Sequence, residues 1–268
     1  MLVGPGPLVV AHRGASGVAP ENTISSIQAA LEIGARMVEV DVHTSSDGEI
    51  VVIHDPDVSR TTNGKGLISE MSLAQIRTLD AGSWFGPRFR GEPVPTLDEA
   101  LELVRGKADL CIELKSASPR QVIDKVLEHG YLDHVIIFDF NHARLGEARK
   151  IQPSVRTLAL GISQDNIASL DPGVCGAVGC PLSRANGQLV EKAHRFGLAV
   201  FVYTVNEVDG MKKLAELGVY AIITDFPELA LEILSKRLAR PPDDLAQSLW
   251  TAGPFASRKN MILQRKSP

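Results

Sequence analysis

No stretch of this 268-residue chain approaches the roughly 20 consecutive apolar residues that a helix needs to cross a bilayer, so stable membrane insertion is not expected. The opening segment MLVGPGPLVVAHRG also lacks the basic region and apolar run of a secretory signal. It leads straight into strand-like LVVAH, and a cytoplasmic protein is expected. Cysteine is scarce. Cys111, Cys175 and Cys180 are odd in number and stand in no metal-ligand spacing, so free and mostly buried thiols are expected. Clustered positive charge is missing except at one end. Residues 236–268 hold seven Lys/Arg and two Asp, about +5, so the net charge of −4 leaves about −9 on the body. That excludes a nucleic-acid-binding body, because such surfaces need grouped cations to replace phosphate counterions. What is present, 44% hydrophobic and 22% charged residues, is the composition of a globular protein with a sizeable core.

Short apolar segments alternate with amphipathic ones through almost the whole chain, the order of a parallel sheet with crossover helices. Strands are expected at LVVAH (8–12), MVEVDVH (37–43), DLCIELK (109–115), VIIFDF (135–140), VRTLAL (155–160), GAVGCPL (176–182), AVFVYTV (199–205) and AIITDF (221–226). Helices are expected at TISSIQAALEIG, TLDEALELVRG, PRQVIDKVLEHG, RLGEARKIQP, NGQLVEKAHRFG, EVDGMKKLAELG and PELALEILSKRL. Gly34, Gly106, Gly130, Gly197 and Gly218 fall where helices end and a left-handed residue is wanted. Eight strand–helix repeats in this length fit a closed (β/α)8 barrel over residues 1–238 better than an open doubly wound sheet, the alternative. A barrel puts its chemistry at strand C-terminal ends, and His12, Arg13, Glu39, Asp41, Glu113, Lys115, Asp139, Tyr203, Asn206 and Asp225 all fall at or near such ends.

Two segments break the rhythm. Residues 44–95 begin with a turn at Asp47-Gly48, followed by IVVIHD. If two residues make the turn, residue 46 pairs with 49 and His54 arrives opposite Asp41. The rest reads as mixed turns and one short helix, and ordered insertions of this length are usually functional. From about residue 239 the basic tail carries Pro pairs and scattered apolar residues, either disordered or docked through Leu249, Trp250 and Phe255.

Residues two apart on a strand share a face, so Glu39 and Asp41 point one way while Val38, Val40 and Val42 point the other. Glu113 and Lys115 repeat the pattern against Ile112 and Leu114. Three carboxylates aimed into one barrel would repel and lose hydration unless a cation lies among them. A divalent metal would supply it, and all-oxygen donors point to Mg²⁺ or Ca²⁺. The other reading is an ion-pair network in which Lys115 and Arg13 neutralise the acids. His12 and His54 flank the cluster and suit acid–base work near neutral pH. His43, assigned to the valine face, and His129, His134, His142 and His194 are read as packed or exposed. Arg13, followed by Gly14, can fork onto phosphate oxygens while glycine admits close approach. Together these groups describe a site for cleaving a phosphate ester; sugar isomerisation or enolisation on a metal barrel would also use Glu, Asp and Lys but has less need of Arg13 beside two histidines.

Several motifs, in order, resemble the glycerophosphodiester phosphodiesterase family: AHRGASGVAPENT, EVDVHTSSDGEIVVIHD, TTNGKG, AGSWFGPRFRGEPVPTLDEAL, IELK, VYTVN and AIITDFP, spanning roughly residues 8–235. The resemblance implies a TIM barrel with a small module inserted after the second strand. It implies metal binding by Glu39, Asp41 and Glu113, acid–base chemistry by His12 and His54, phosphate contacts from Arg13 and Lys115, and a small-molecule glycerophosphodiester as substrate. Tyr203 stands where the family often has Trp, which keeps an aromatic wall and adds a hydroxyl. Glu21 and Asn22 are expected to shape the first loop, with Asn22 near enough to reach the site. The rival activities are a lysophospholipase D, with Trp84, Phe85 and Phe89 as an acyl-chain rim or merely the insertion's own small core, and a non-catalytic phosphate-metabolite-binding barrel.

Overall fold

The computed structural model describes residues 6–171 and 173–235; the basic tail, with Leu249, Trp250 and Phe255, lies outside them. Eight parallel strands close on themselves: β1 (Leu8–Ala11), β2 (Met37–Thr44), β4 (Asp109–Leu114), β5 (Val135–Asp139), β6 (Arg156–Ala159), β7 (Ala177–Pro181), β8 (Ala199–Tyr203) and β9 (Ala221–Thr224). Pairing of β1 with both β9 and β2 completes the barrel, and the hairpin strand β3 (Ile50–Val52) runs antiparallel to the end of β2. Helices α1 (Ile24–Ile33), α3 (Leu97–Val104), α4 (Pro119–Glu128), α5 (His142–Ile151), α6 (Gly187–Arg195), α7 (Val208–Leu217) and α8 (Pro227–Ser235) cover the outside. The short α2 (Leu73–Ile76) belongs to the insertion. Among the described residues the β6–β7 crossover contains only a 3-10 turn, Ile167–Ser169, so one of the eight repeats lacks an α-helix. No helix among the described residues is long and apolar enough to cross a membrane.

Alternation along each strand sorts side chains into two cores. Val38, Val40, Val42, Ile112 and Leu114 pack outward beneath the helices, whereas Met37, Cys111, Ile136, Phe138, Phe201 and Ile223 fill the barrel interior. Gly34, Gly106, Gly130, Gly197 and Gly218 all take positive φ, as the helix-end reading requires. The three cysteines are free and buried.

The insertion builds a third core from Val51, Ile53, Val58, Ile68, Ile76, Ala81 and Val94. Its entry corrects the expected hairpin register. Ser45 donates its N–H to Glu49 O, leaving a three-residue turn, Ser46 to Gly48, with Gly48 at φ 91. His43 pairs with Val51, and Ile53, not His54, donates to Asp41 O. The extra turn residue is favoured because the Asp47 carboxylate accepts from Ser45 Oγ and from Leu73 N at the start of α2.

Phe138 and Phe140, two residues apart, test the burial assignment. Phe138 is fully enclosed, edge-on to Phe201 at 5.9 Å, while Phe140 is 55% exposed. Phe138→Ala should cost about 3–5 kcal/mol in urea unfolding and Phe140→Ala less than about 1 kcal/mol; equal losses would contradict this packing.

Candidate active site

The β1–α1 loop is held at its base by a capping box, in which the Thr23 hydroxyl accepts from Ser26 N and Ser26 Oγ accepts from Thr23 N. Ser26 Oγ also donates to Arg13 O, and Asn22 N–H donates to the same carbonyl. Gly14, at φ 80, passes so close to this turn that a Cβ would lie 2.4 Å from Ser26 Oγ. Arg13 and Asn22 both hold φ 56, which costs about 1–3 kcal/mol each for side-chain-bearing residues. The strained loop aims Arg13 and Asn22 into the barrel mouth.

There Glu39 and Asp41 of β2 meet Glu113 of β4, Asp41 and Glu113 being register partners. Their ligand atoms lie within 4.8 Å of one another, the one such group of candidate metal ligands among the described residues. Asp41 is the best supported of the three. Asn22 Nδ2 donates to its Oδ2 at 2.8 Å, Arg13 Nε lies 3.3 Å away and Lys115 Nζ 3.2 Å away. Burial alone would push its pKa up, but Lys115 and Arg13 bring it below the ordinary value. Lys115 also bonds Glu113, whose pKa burial and the Asp41 charge nonetheless raise. Glu39 is 2% exposed and, among the described residues, receives only the Arg13 N–H, at Oε2. Its Oε1 is buried without a hydrogen-bond partner among the described residues, and burial together with the charges of Asp41 and Glu113 raises its pKa well above normal. The donor set and this orphaned oxygen fit a hard cation.

Two histidines stand beside the cluster, each tied through Nδ1 to a carboxylate. His12, extending β1, lies 2.6 Å from Asp225 Oδ1, and Asp225 is fixed by Ser16 Oγ at 3.0 Å and Asn206 Nδ2 at 2.6 Å. His54 lies 2.6 Å from Asp55 Oδ1. Burial lowers the His54 pKa despite Asp41 and Asp55, which favours its neutral form near pH 7. A hydrogen bond from Arg60 holds Asp55 down to about 2. A carboxylate at Nδ1 of each ring draws a ring proton to that nitrogen, so that in the neutral ring Nε2 is the basic nitrogen.

The structure therefore gathers His12, Arg13, Glu39, Asp41, His54, Glu113 and Lys115. Tyr203 joins from β8, its hydroxyl accepting from Gly161 N at 3.2 Å and its ring edge-on to Phe140 at 6.3 Å. His43 is corrected: it shares the face of Glu39 and Asp41, where its Nδ1 bonds Ser116 and its Nε2 bonds His54 O. Asp139 is a strand-end residue that faces away, pairing with Arg144 of α5 at 3.1 Å. Arg144 in turn donates to the carbonyls of Lys115 and Ala117 and so props the loop that carries Lys115. His129 and His134 pair with Asp98 and Asp109, and His142 bonds Leu160 O. Trp84, Phe85 and Phe89 stack edge-on upon one another. Sequence reading missed Asp55, Arg60 and the orienting work of Asp225; the adjacency of Asp55 to His54 was a usable signal, whereas Arg60 had none.

The model of the glycerophosphoryl diester phosphodiesterase family matches residues 12–229. A glycerophosphodiester phosphodiesterase of Caldanaerobacter subterraneus is 36% identical, covering 85% of this chain and 98% of its own length. One from Bacillus subtilis is 33% identical over 83% of this chain and 84% of its own. Among solved structures, an Oleispira antarctica phosphodiesterase in complex with the product sn-glycerol-3-phosphate superposes with a TM-score of 0.80 at 31% identity, covering 86% of this chain and 97% of that one. The Agrobacterium tumefaciens glycerophosphodiester phosphodiesterase gives 0.76 at 34%, covering 84% and 99%. With a matching family model across most of its length and relatives of this identity, the chain belongs to the glycerophosphodiester phosphodiesterase family of enzymes.

Proposed function

We propose that this protein hydrolyses glycerophosphodiesters to glycerol 3-phosphate and an alcohol, with one divalent cation, Mg²⁺ or Ca²⁺, held by Glu39, Asp41 and Glu113, and with His12 and His54 as the acid–base pair. The observation that carries this reading is the orphaned Glu39 Oε1 inside a three-carboxylate cluster, flanked by two histidines with carboxylate-bound Nδ1 atoms. Ion pairs alone account for Asp41 and Glu113, against which Lys115 lies, but at Glu39 the Arg13 charge and N–H do not offset burial and the two neighbouring carboxylates. When bound, the cation supplies positive charge that offsets these carboxylates and the phosphate oxygens.

The chain's own groups account for the proton movements. Arg13 offers a planar fork and Lys115 a point charge to phosphate oxygens. The glycerol 2-hydroxyl gives its proton to Nε2 of one histidine as its oxygen bonds phosphorus. The bond from phosphorus to the alcohol breaks, and the departing oxygen takes the Nε2 proton of the other histidine, which enters the cycle as imidazolium with Nδ1 still bound to its carboxylate. The resulting cyclic phosphate opens when a water bonds phosphorus, passing its proton to that second histidine, while the first returns its proton to the glycerol oxygen. Asp225 and Asp55 keep both rings oriented for these exchanges, each worth about 10²–10⁴ in rate. The Tyr203 ring borders the mouth as a wall for the glycerol end.

Glycerol 3-phosphate should appear from glycerophosphocholine or glycerophosphoethanolamine with added Mg²⁺ or Ca²⁺, stop with EDTA, and resume when the ion is restored. Turnover persisting in EDTA would remove the metal from the scheme. No glycerol 3-phosphate from these diesters, together with no alcohol from lysophospholipids, would end the hydrolase reading, and alcohol release from lysophospholipids alone would favour an acylated substrate.

Two substitutions separate chemistry from folding. Glu39→Gln keeps shape and removes the uncompensated charge, and His54→Ala removes a partly exposed ring; both should melt within a few degrees of wild type while kcat falls about 10²–10⁴-fold. Severe unfolding of both in circular dichroism would restore the ion-pair-network reading.

A further inference from the structure

We infer that Arg60, on the insertion, is a positioning residue that holds His54 and Arg13 in register with each other; this rests on the reading of those two as reacting and phosphate-binding groups. Its side chain is 45% exposed, yet every guanidinium nitrogen is committed. Nε donates to Asp55 Oδ2, and Nη1 and Nη2 donate to Glu21 Oε2 and Oε1, each at 2.8 Å. Both carboxylates reach onward into the site. Asp55 Oδ1 lies 2.6 Å from His54 Nδ1, and Glu21 Oε1 accepts from Arg13 Nη1 at 2.8 Å. A continuous chain of charged groups, His54–Asp55–Arg60–Glu21–Arg13, thus crosses from the insertion to the β1–α1 loop.

An isolated ion pair at this exposure contributes little. The geometry differs here in two respects. The fork to Glu21 is bidentate, which fixes direction as well as distance. The two groups it links also have few alternative restraints. His54 lies beyond the end of β3, outside the strand ladder, and its ring is held among the described residues by Asp55 alone. Arg13 sits at φ 56, with its side chain steered by Glu21 and Asp41. Removing Arg60 leaves Asp55 one donor and Glu21 one partner, so each can rotate and take its site residue with it. Displacement by about 1 Å at a reacting group costs on the order of 10²-fold in rate.

The test compares Arg60→Ala, Arg60→Lys and His54→Ala with wild type on glycerophosphocholine in saturating Mg²⁺ or Ca²⁺, with melting temperatures measured in parallel. Arg60→Ala is expected to stay folded, to lose about 10²-fold in kcat and to raise KM, because both His54 and Arg13 are loosened. Arg60→Lys should recover only a small part, since an ammonium cannot supply three coplanar N–H groups. Millimolar guanidinium ion should restore part of the turnover of Arg60→Ala and none of that of His54→Ala, a rescue that a merely structural staple would not give. Unchanged kcat in folded Arg60→Ala, full activity in Arg60→Lys, or absence of rescue overturns the inference; if Arg60→Ala does not fold, Arg60→Met, which keeps the aliphatic volume, is judged by the same criteria. Full turnover in His54→Ala would instead sink the catalytic reading itself. Lost turnover there with an intact Arg60→Ala sinks only the role of Arg60.

Discussion

The mutual repulsion of three carboxylates on the adjacent strands β2 and β4, two of them buried and Glu113 half-buried, is the constraint around which this molecule is arranged. Desolvating a carboxylate costs several kcal/mol per ion unless charge and hydrogen bonds compensate. At Asp41 they do: Asn22, Arg13 and Lys115 all converge on it. At Glu39 they do not, and its raised pKa records the imbalance. Two cations among three acids leave a site that is polarised and short of positive charge, a state that favours a further cation there.

The loops around the mouth serve that constraint. The strained turn from Arg13 to Asn22 brings one cation and one amide donor to Asp41 without using a strand position. Arg144 reaches under the β4 end from α5 and fixes the carbonyls that flank Lys115. The cluster is therefore set by β2 and β4, whose pairing register cannot slip without exchanging the carboxylate face for the valine face. The counter-charges are set by loops with their own hydrogen-bonded frames.

Much of this was legible in the sequence because strand parity is rigid. Glu39, Asp41 and Glu113 had to share the interior once their valine and leucine neighbours were assigned to the helices, and the glycines at helix ends marked the repeat. His43 fell to the wrong face because it was treated as an isolated histidine when its odd position already placed it with Asp41. The hairpin register failed for a different reason. Whether two or three residues turn the chain depends on Asp47 accepting from Leu73, a contact 26 residues away that no local pattern encodes. Arg60 was invisible on the same ground, since its partner Glu21 is 39 residues distant. Of the catalytic candidates, those whose positions follow from strand alternation were readable; those whose orientation comes from loop-to-loop ion pairs were not.

That division has a physical consequence for the two histidines. His12 is anchored within the barrel wall: Asp225 follows β9, the strand paired with β1, and neutral donors from Ser16 and Asn206 hold it. His54 is anchored by ions, Asp55 at 29% exposure and Arg60 at 45%, and Arg60 reaches Glu21 of the β1–α1 loop, with which residues 54–60 share no strand pairing among the described residues. Exposed charges are screened by salt over about 8–10 Å, whereas neutral hydrogen bonds between paired strands are not. The His12 arm thus inherits the rigidity of the barrel, and the His54 arm is only as well ordered as the docking of the insertion and the ionic conditions allow.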